Sequence, residues 1–382
     1  MDLNIDFLTN LHKELLQDMY FDYDRIGTPY IDIVTIMGGL FYFEQQTKKA
    51  RKNNCLIIPV FHVSHWEKNR DVLEMLLDWL MEEPVYLQFQ QIDVELMSPS
   101  FYLPNNYEVT LFFDDMESLV GVAKNNCSAS PIASDYLRLI NKENERGKQE
   151  KLAVFLRSNV SASGEIIALD STIYKKISKK LSTVSTCLLV SIAAVKTYFN
   201  GGSTVYVYQN SKINRNVCID WNVLHKSTHP KTFKLLNDLY TSLDLNLTIK
   251  TPVLHKPLQI GINEIPKEYK LQIKNTIDCV RIKRKGKAAV TLPCGICLPC
   301  LQRKIILSAS NNEVYDTLYE YDYGQKVANL EKEEDKRILT ETLQHLEATI
   351  IYLENNLSEL ASEEKSVATE FIFAYRQFKE KY

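Results

Sequence analysis

The strongest chemical pattern in this sequence of 382 residues is a cluster of four cysteines in its C-terminal third. Cys294, Cys297 and Cys300 are separated by two residues each, and Cys279 lies a short distance upstream. Gaps of this size let backbone turns aim the sulfurs at one tetrahedral ion, and Gly295 permits the bend. The spacing therefore predicts a closed structural zinc site. The alternative is a set of unligated thiols.

A basic segment lies between the first and second of these cysteines. Residues 281–287 hold five basic side chains and one glycine, namely Arg281, Lys283, Arg284, Lys285, Gly286 and Lys287. Such a segment could hold phosphate or nucleic acid. Aromatic residues that would stack on bases are absent from it, which favours a solvated loop instead. Both interpretations stay open at this point.

Composition places the chain among ordinary globular proteins. Apolar residues make up 45% and charged residues 24%, and the formal net charge is −3, so overall charge predicts neither a nucleic-acid partner nor a membrane partner. The acidic N-terminus and the shortness of the apolar runs predict a cytoplasmic protein without a membrane span or export signal. Only 12 residues are glycine, which counts against a glycine-rich phosphate loop.

The hydrophobic pattern divides the chain into three predicted parts. Residues 1–106 form a small α/β domain, 107–323 form a second domain, and 324–382 form a helical tail. The predicted helices cover residues 3–20, 71–81, 116–124, 172–199 and 230–243, and the predicted strands cover 56–63, 85–89, 107–113, 152–156, 204–208 and 245–249. Alternation of strands with helices in the second domain predicts an α/β fold with a doubly wound parallel sheet.

Apolar residues of the tail step by four and three from Leu339 to Phe378. This spacing predicts an a/d seam over about three heptads. One interpretation is an amphipathic helix or helical hairpin that packs on its own domain. The other is a coiled coil that binds a partner protein.

The cysteine motif and the arginine that follows it, Arg303, resemble the C-terminal zinc motif of the QueC family, the 7-cyano-7-deazaguanine synthases. The segment 276–279, Thr-Ile-Asp-Cys, is similar to the Thr-x-Ser-Cys of that family. Thr228, His229 and Lys256 resemble the Thr-His-Pro motif and the lysine of the QueC-like branch found in bacterial antiphage cassettes, such as the Qat system.

This resemblance implies a Rossmann-like PP-loop sheet with a zinc-stapled C-terminal loop, and a ligand pocket near Thr228, His229 and Lys256. The family uses ATP and ammonia to convert a 7-deazaguanine carboxylate to the nitrile. The resemblance also implies a Ser-Gly-Gly-x-Asp-Ser loop after the first strand of the second domain. The glycines of such a loop let backbone amides approach a pyrophosphate at the start of a helix.

The matching turn in this sequence reads Phe113-Asp114-Asp115, followed by Glu117 and Ser118. Its side chains occupy space that the phosphates would need. Each carboxylate near an anion costs about 4 kcal/mol at 4 Å and a dielectric constant of ~20. Loss of the glycines is also expected to remove access to positive φ. The turn is therefore predicted not to bind ATP and magnesium. Its acids either hold a divalent cation or are solvated or paired with lysines.

Three functional hypotheses follow from these features. The first is a pseudoenzyme, a QueC-like subunit of a bacterial antiphage defence complex that acts as a scaffold or ligand sensor. Its partners would be proteins of the same operon, bound through the helix at 339–378. The second is an active ATP-dependent ligase that forms a deazaguanine nitrile or an amide. The third is a nucleic-acid-binding subunit that uses the basic loop 281–287.

Overall fold

A computed structural model describes most of the chain. The described residues are 28–45, 55–81, 83–92, 108–129, 134–139, 146–159, 164–167, 183–208, 226–253, 256–279, 283–285 and 290–382. The helix predicted at 3–20 lies outside them, as does most of the first half of the helix predicted at 172–199.

Among the described residues, the N-terminal part contains a parallel strand pair and three helices. The helices are α1 (Thr28–Gln45), α2 (Val63–Lys68) and α3 (Arg70–Leu80), and the strands are β1 (Cys55–Val60) and β2 (Tyr86–Gln91). Sequence periodicity does not predict α1, because nearly all of its side chains are buried and it has no polar face. The predicted strands at 56–63 and 85–89 and the predicted helix at 71–81 are confirmed to within a few residues.

One buried carboxylate fixes the geometry of this part. Asp32 of α1 is fully buried, and its oxygens accept hydrogen bonds from the amides of Phe61 and His62 at 2.7 and 3.2 Å. The indole of Trp66 donates to the same carboxylate at 3.0 Å. Asp32 thus ties α1 to the end of β1 and the start of α2. Burial raises the pKa of Asp32 to about 7, although these three donors lower it.

We expect Asp32 to make the stability of the protein depend on pH. Its pKa lies above the ordinary value of 3.8, so it contributes stability that is full below pH 3.8 and is lost as the pH rises through about 7. Between pH 4 and 8 the free energy of unfolding should fall by up to about 4 kcal/mol from this group. Urea unfolding across that range measures the slope.

The variant Asp32→Asn should flatten this pH dependence, because an amide does not titrate. Asp238→Asn is the matched control, since the side chain of Asp238 is 43% exposed and pairs with Lys234. An unchanged slope in Asp32→Asn would assign the pH dependence to another group.

In the part of the chain that the structure describes, the central sheet has five parallel strands. They are β3 (Glu108–Leu111), β4 (Ser134–Leu139), β5 (Gly164–Ile167), β6 (Thr204–Val207) and β7 (Thr248–Lys250). Their spatial order is β5-β4-β3-β6-β7. Counted along the chain this is 3-2-1-4-5, the order of a doubly wound sheet whose strand order reverses between β3 and β6. The predicted mixed α/β architecture is confirmed.

Helices cover both faces of this sheet. They are α4 (Met116–Asn126), α5 (Arg146–Asn159), α6 (Ser185–Phe199), α7 (Pro230–Ser242), α8 (Leu258–Glu264) and α9 (Lys267–Lys270). Val205 and Val207 pack in the core that contains α6 and α7, whereas Tyr206 packs in the core that contains α4 and α8. The first of these cores also includes α1 and β1. The N-terminal part and the sheet therefore contribute side chains to one hydrophobic core. The domain boundary predicted at residue 106 stays a prediction.

One prediction for this part of the chain is wrong, and two strands were not predicted. Residues 152–156 were expected to form a strand but belong to α5. Leu152 and Leu156 are buried while Lys151 and Val154 are exposed, which is the burial pattern of a helix. A short apolar run does not separate the two structures by itself. The strands β4 and β5 were missed altogether.

The C-terminal part consists of α10 (Leu298–Ala309), α11 (Glu333–Asn356) and α12 (Ser362–Lys381). The predicted seam is interrupted between α11 and α12, so residues 339–378 form a helical hairpin and not one helix. Leu339, Leu346 and Phe371 of the seam are buried in one core with the four cysteines. The interpretation as a hairpin that packs on its own chain is confirmed. The described helices include none with the length and hydropathy needed to cross a bilayer.

Candidate metal centre

A β-hairpin and a helix start bring the four cysteines together. Cys279 precedes β8 (Lys283–Lys285), which pairs antiparallel with β9 (Val290–Leu292), and Cys294 follows β9. Cys297 is the N-cap residue of α10, and Cys300 lies in the first turn of that helix. The positive end of the helix dipole favours thiolates at these positions. Cys279 and Cys294 thus flank the β-hairpin, and Cys297 and Cys300 lie at the start of α10.

The sulfurs of Cys279, Cys294, Cys297 and Cys300 all lie within 4.8 Å of one another, and all four residues are buried. The Sγ atom of Cys279 lies 3.7 Å from that of Cys294 and 3.9 Å from that of Cys297, and 3.4 Å separates Cys297 from Cys300. Tetrahedral thiolates with Zn–S bonds of ~2.3 Å are separated by about 3.8 Å. The cluster can hold one metal ion and is compatible with zinc.

Gly295 allows the tight turn between the second and third cysteines. Its φ is +80°, and a Cβ atom there would lie 2.0 Å from the carbonyl oxygen of Tyr321. The ammonium group of Lys304 donates to the carbonyls of Gly295 and Tyr321 at 2.9 and 2.8 Å and lies over the ring of Tyr319. Burial lowers the pKa of Lys304 to about 8. The prediction that glycine permits this bend is confirmed.

Arg303 connects the segment that carries Cys279 to α10. It is 3% exposed and donates to the carboxylates of Asp278 and Asp316, each at 2.7 Å. It also donates to the hydroxyl of Thr276 at 2.5 Å and to the carbonyl of Ile273 at 2.6 Å. Asp278 and Asp316 are themselves almost completely buried. The arginine thus fixes the segment that leads into the first ligand, Cys279.

The charges of this network influence neighbouring groups. Although burial opposes it, the nearby carboxylates of Asp316 and Asp278 raise the pKa of Arg303 well above its usual range. Lys148 of α5 donates to the hydroxyl of Thr317 at 3.3 Å. Burial, followed by the charge of Arg303, lowers the pKa of Lys148 to about 8. The region around the cysteines is therefore buried and densely charged.

The turn after β3, which the resemblance predicts to be an altered nucleotide loop, lies against this same segment. The amide of Ile277 donates to the carbonyl of Asp114 at 2.8 Å. Asp115 is the N-cap residue of α4, and its carboxylate accepts the amide of Ser118 at 2.8 Å. The hydroxyl of Ser118 accepts the amide of Phe113 at 3.2 Å. A carboxylate of the protein therefore occupies the helix terminus that could otherwise bind an anion.

Two expectations for this turn require correction. Asp114 has φ +59°, so the left-handed backbone conformation persists without glycine. Aspartate tolerates this region better than most residues. The acids were expected to be either solvated or paired with lysines, or else gathered around a cation. Asp114, Asp115 and Glu117 are buried, so the expectation that they are solvated is wrong. Within the described residues, the group that brings metal-ligating atoms together is the cysteine cluster and not these acids.

The predicted ligand-pocket residues lie at the start of α7 and beyond it. His229 is the N-cap residue of α7, and its Nδ1 accepts the amide of Lys231 at 3.1 Å. Its ring packs against Trp79 of α3, with 5.1 Å between ring centroids. Burial and the charge of Lys231 lower its pKa. Thr228 ends the short 3₁₀ helix before it, and Lys256 is exposed.

The basic segment is not simply a loop. Residues 283–285 form β8 and pair with β9, while residues 281, 282, 286 and 287 lie outside the described residues. Lysine is depleted in strands, so the sequence did not indicate this hairpin.

Sequence reasoning also missed the polar residues that surround the cysteines. Asp316 accepts Arg303 and the hydroxyls of Tyr319 and Tyr323, at 2.8 and 2.7 Å from the tyrosines. No local pattern marks Asp316 as a partner, because it is 13 residues away from Arg303 in a stretch without regular structure. The one available signal was the arginine itself at a fixed distance from the last cysteine.

Comparison of this chain with protein-family models, with curated proteins and with solved structures finds no match.

Proposed function

We propose that this chain is a catalytically inactive, zinc-stabilised QueC-like protein with a Rossmann-like PP-loop sheet. It would act as a scaffold or ligand-sensing subunit of a bacterial antiphage defence complex. The observation that carries the proposal is the hydrogen bond from the Ser118 amide to the Asp115 carboxylate at the start of α4. That bond occupies the amide of Ser118, a donor that a bound phosphate group would need.

The position of the altered turn strengthens this argument. Doubly wound sheets bind ligands beyond the carboxyl ends of their strands, where the strand order reverses. The turn of residues 112–115 follows β3, the central strand, at this reversal. Asp114 and Asp115 are 4% and 8% exposed there. Binding of ATP at this turn would therefore place its negative phosphates against buried carboxylates, which is electrostatically unfavourable.

The metal in this proposal is zinc, and its role is structural. Four thiolates form a soft donor set that suits zinc, and they leave no open coordination position for a substrate. When bound, the ion would join Cys279 to the helix start at Cys297 and Cys300 without taking part in a reaction. Arg303, Asp278 and Asp316 would hold the ligands in place around it.

Isothermal titration with ATP and magnesium tests the inactive state. We expect no binding heat up to millimolar ATP, with a QueC enzyme that has an intact Ser-Gly-Gly loop as the positive control. Micromolar binding with turnover would instead support the alternative, an active ATP-dependent ligase. Co-purification from the native operon tests the defence complex, since a scaffold subunit should bring its partner proteins with it.

A second candidate function is nucleic-acid binding through the β8–β9 hairpin. The observation that favours it is that β8 consists of Lys283, Arg284 and Lys285 and pairs with β9, which ends two residues before Cys294 of the cysteine cluster. Filter binding across a range of salt concentrations distinguishes this function. A steep salt slope that flattens in Lys283→Glu/Arg284→Glu would support it.

A further inference from the structure

A short segment between α10 and α11 contacts both the cysteine cluster and the helical hairpin. It consists of residues 319–323, and three of its five residues are tyrosines, namely Tyr319, Tyr321 and Tyr323. None of the five lies in a helix or a strand. We call these residues the tyrosine segment. Its position must therefore be fixed by contacts with other parts of the chain.

Backbone hydrogen bonds join the tyrosine segment to the turn that carries the second cysteine. The amide of Glu320 donates to the carbonyl of Pro293 at 2.9 Å, and the amide of Tyr321 donates to the carbonyl of Cys294 at 3.2 Å. The second of these bonds is made directly to a residue of the cysteine cluster. The two pieces of chain thus lie side by side next to the candidate metal centre.

Lys304 of α10 joins the same two pieces of chain from a third direction. Its ammonium group donates to the carbonyl of Gly295 in the turn and to the carbonyl of Tyr321 in the tyrosine segment. The ammonium group also lies over the rings of Tyr319 and Tyr323, 4.4 and 5.2 Å from their centroids. One buried cation therefore holds the turn and the tyrosine segment together.

The other side of the tyrosine segment contacts both helices of the hairpin. The hydroxyl of Tyr321 donates to the carboxylate of Asp335 in the first turn of α11 at 2.8 Å, and Asp335 is 1% exposed. The ring of Tyr323 packs against Phe378 of α12 and against Tyr382, with 6.3 and 5.4 Å between ring centroids. A continuous set of contacts thus leads from Cys294 to α11 and α12.

A bound metal ion would fix the first part of this set of contacts. Cys294 and Cys297 flank the turn, so an ion that binds both sulfurs holds the two ends of the turn in place. The free energy of metal binding is then available to order whatever the turn contacts. Without the ion, the carbonyls of Cys294 and Gly295 would no longer be held towards the tyrosine segment.

We propose that the tyrosine segment is a latch that couples metal binding at the four cysteines to the docking of the hairpin α11–α12. With the ion bound, the turn holds the tyrosine segment and the segment holds both helices. After loss of the ion, the hairpin opens while the central sheet stays folded. This coupling rests on the metal of the proposed function, and it needs neither the defence complex nor an inactive nucleotide turn.

Hydrogen exchange measured by mass spectrometry tests the latch in the full-length protein, with zinc bound and after removal of zinc by 1,10-phenanthroline. We expect the amides of residues 339–353 and 367–378 to exchange at least about tenfold faster after zinc removal. The amides of α7, which packs in a different core, should change less than about twofold.

Metal analysis of the same samples separates failure of the latch from failure of the metal centre. One zinc per chain with equal exchange of the hairpin in both samples would overturn the latch and leave the zinc site in place. A chain that binds no zinc would overturn both.

Two tyrosine-to-phenylalanine variants separate the latch from the hydrophobic core that the cysteines and the hairpin share. Tyr321→Phe keeps the ring and removes the hydroxyl that donates to Asp335, so α11 of the zinc-loaded variant should exchange at least about fivefold faster. Tyr352→Phe is the matched control, because Tyr352 lies on α11 and is 41% exposed, and it should leave exchange unchanged.

Both variants should retain one zinc per chain, since neither changes a cysteine. Equal exchange of α11 in the two variants would assign the coupling to core packing and overturn the latch. These samples keep their zinc, so they decide the case if the protein without zinc unfolds as a whole.

Discussion

Replacement of Cys297 by serine is expected to abolish stoichiometric zinc binding and to lower the free energy of unfolding by more than about 3 kcal/mol. Structural zinc contributes about 10–16 kcal/mol of binding free energy in small zinc-dependent domains, and a missing thiolate removes a large share of it. The loss should extend beyond the site, because the cysteines share a core with Leu339, Leu346 and Phe371 of the helical hairpin.

Metal analysis by mass spectrometry and urea unfolding measure this effect. Cys127→Ser is the matched control, since Cys127 is exposed and lies outside the cluster. We expect Cys127→Ser to retain one zinc per chain and the stability of the unaltered protein. A Cys297→Ser protein with a full complement of zinc and unchanged unfolding would show that the cluster is not a structural site.

The second large effect is expected at Arg303. The variant Arg303→Met should lower the free energy of unfolding by about 3–5 kcal/mol, because it removes the positive charge that balances the buried carboxylates of Asp278 and Asp316. Zinc affinity should fall as well, since Arg303 positions the segment that carries Cys279. Mutation of groups that orient metal ligands typically reduces affinity 10- to 100-fold.

Competition with the chelator 4-(2-pyridylazo)resorcinol measures the zinc affinity of Arg303→Met. Arg303→Lys should recover only part of the loss, because lysine keeps the charge but not the planar, multidentate geometry. The control is Arg337→Met, which removes an exposed ion pair with Glu341 and should change stability by less than about 0.5 kcal/mol. Equal effects at Arg303 and Arg337 would contradict the positioning role.

The sequence predicted the elements whose patterns are local. The cysteine spacing identified all four members of the cluster, and short apolar runs located β1, β3 and β6. Prediction from the sequence failed where an element shows no distinct periodic pattern of apolar and polar residues. Helix α1 is apolar on nearly every side and so shows no helical period, and α5 contains a short apolar run that also fits a strand.

The candidate site was predictable in its ligands but not in its surroundings. The contact from Ile277 to Asp114 joins residues far apart in the chain, and the pairing of Arg303 with Asp316 crosses an irregular segment. The left-handed conformation at Asp114 was not expected because glycine is the usual residue there. Such long-range contacts decide whether a carboxylate is solvated, paired or buried, and the sequence pattern does not contain them.

Native mass spectrometry of the purified protein in the presence of ATP and magnesium tests the central claim most directly. We predict a mass increase that corresponds to one zinc ion per chain and no nucleotide adduct, because four thiolates hold the metal and Asp115 already occupies the start of α4. A stoichiometric ATP adduct, or a chain that carries no metal under conditions that retain zinc in known zinc proteins, would contradict the account.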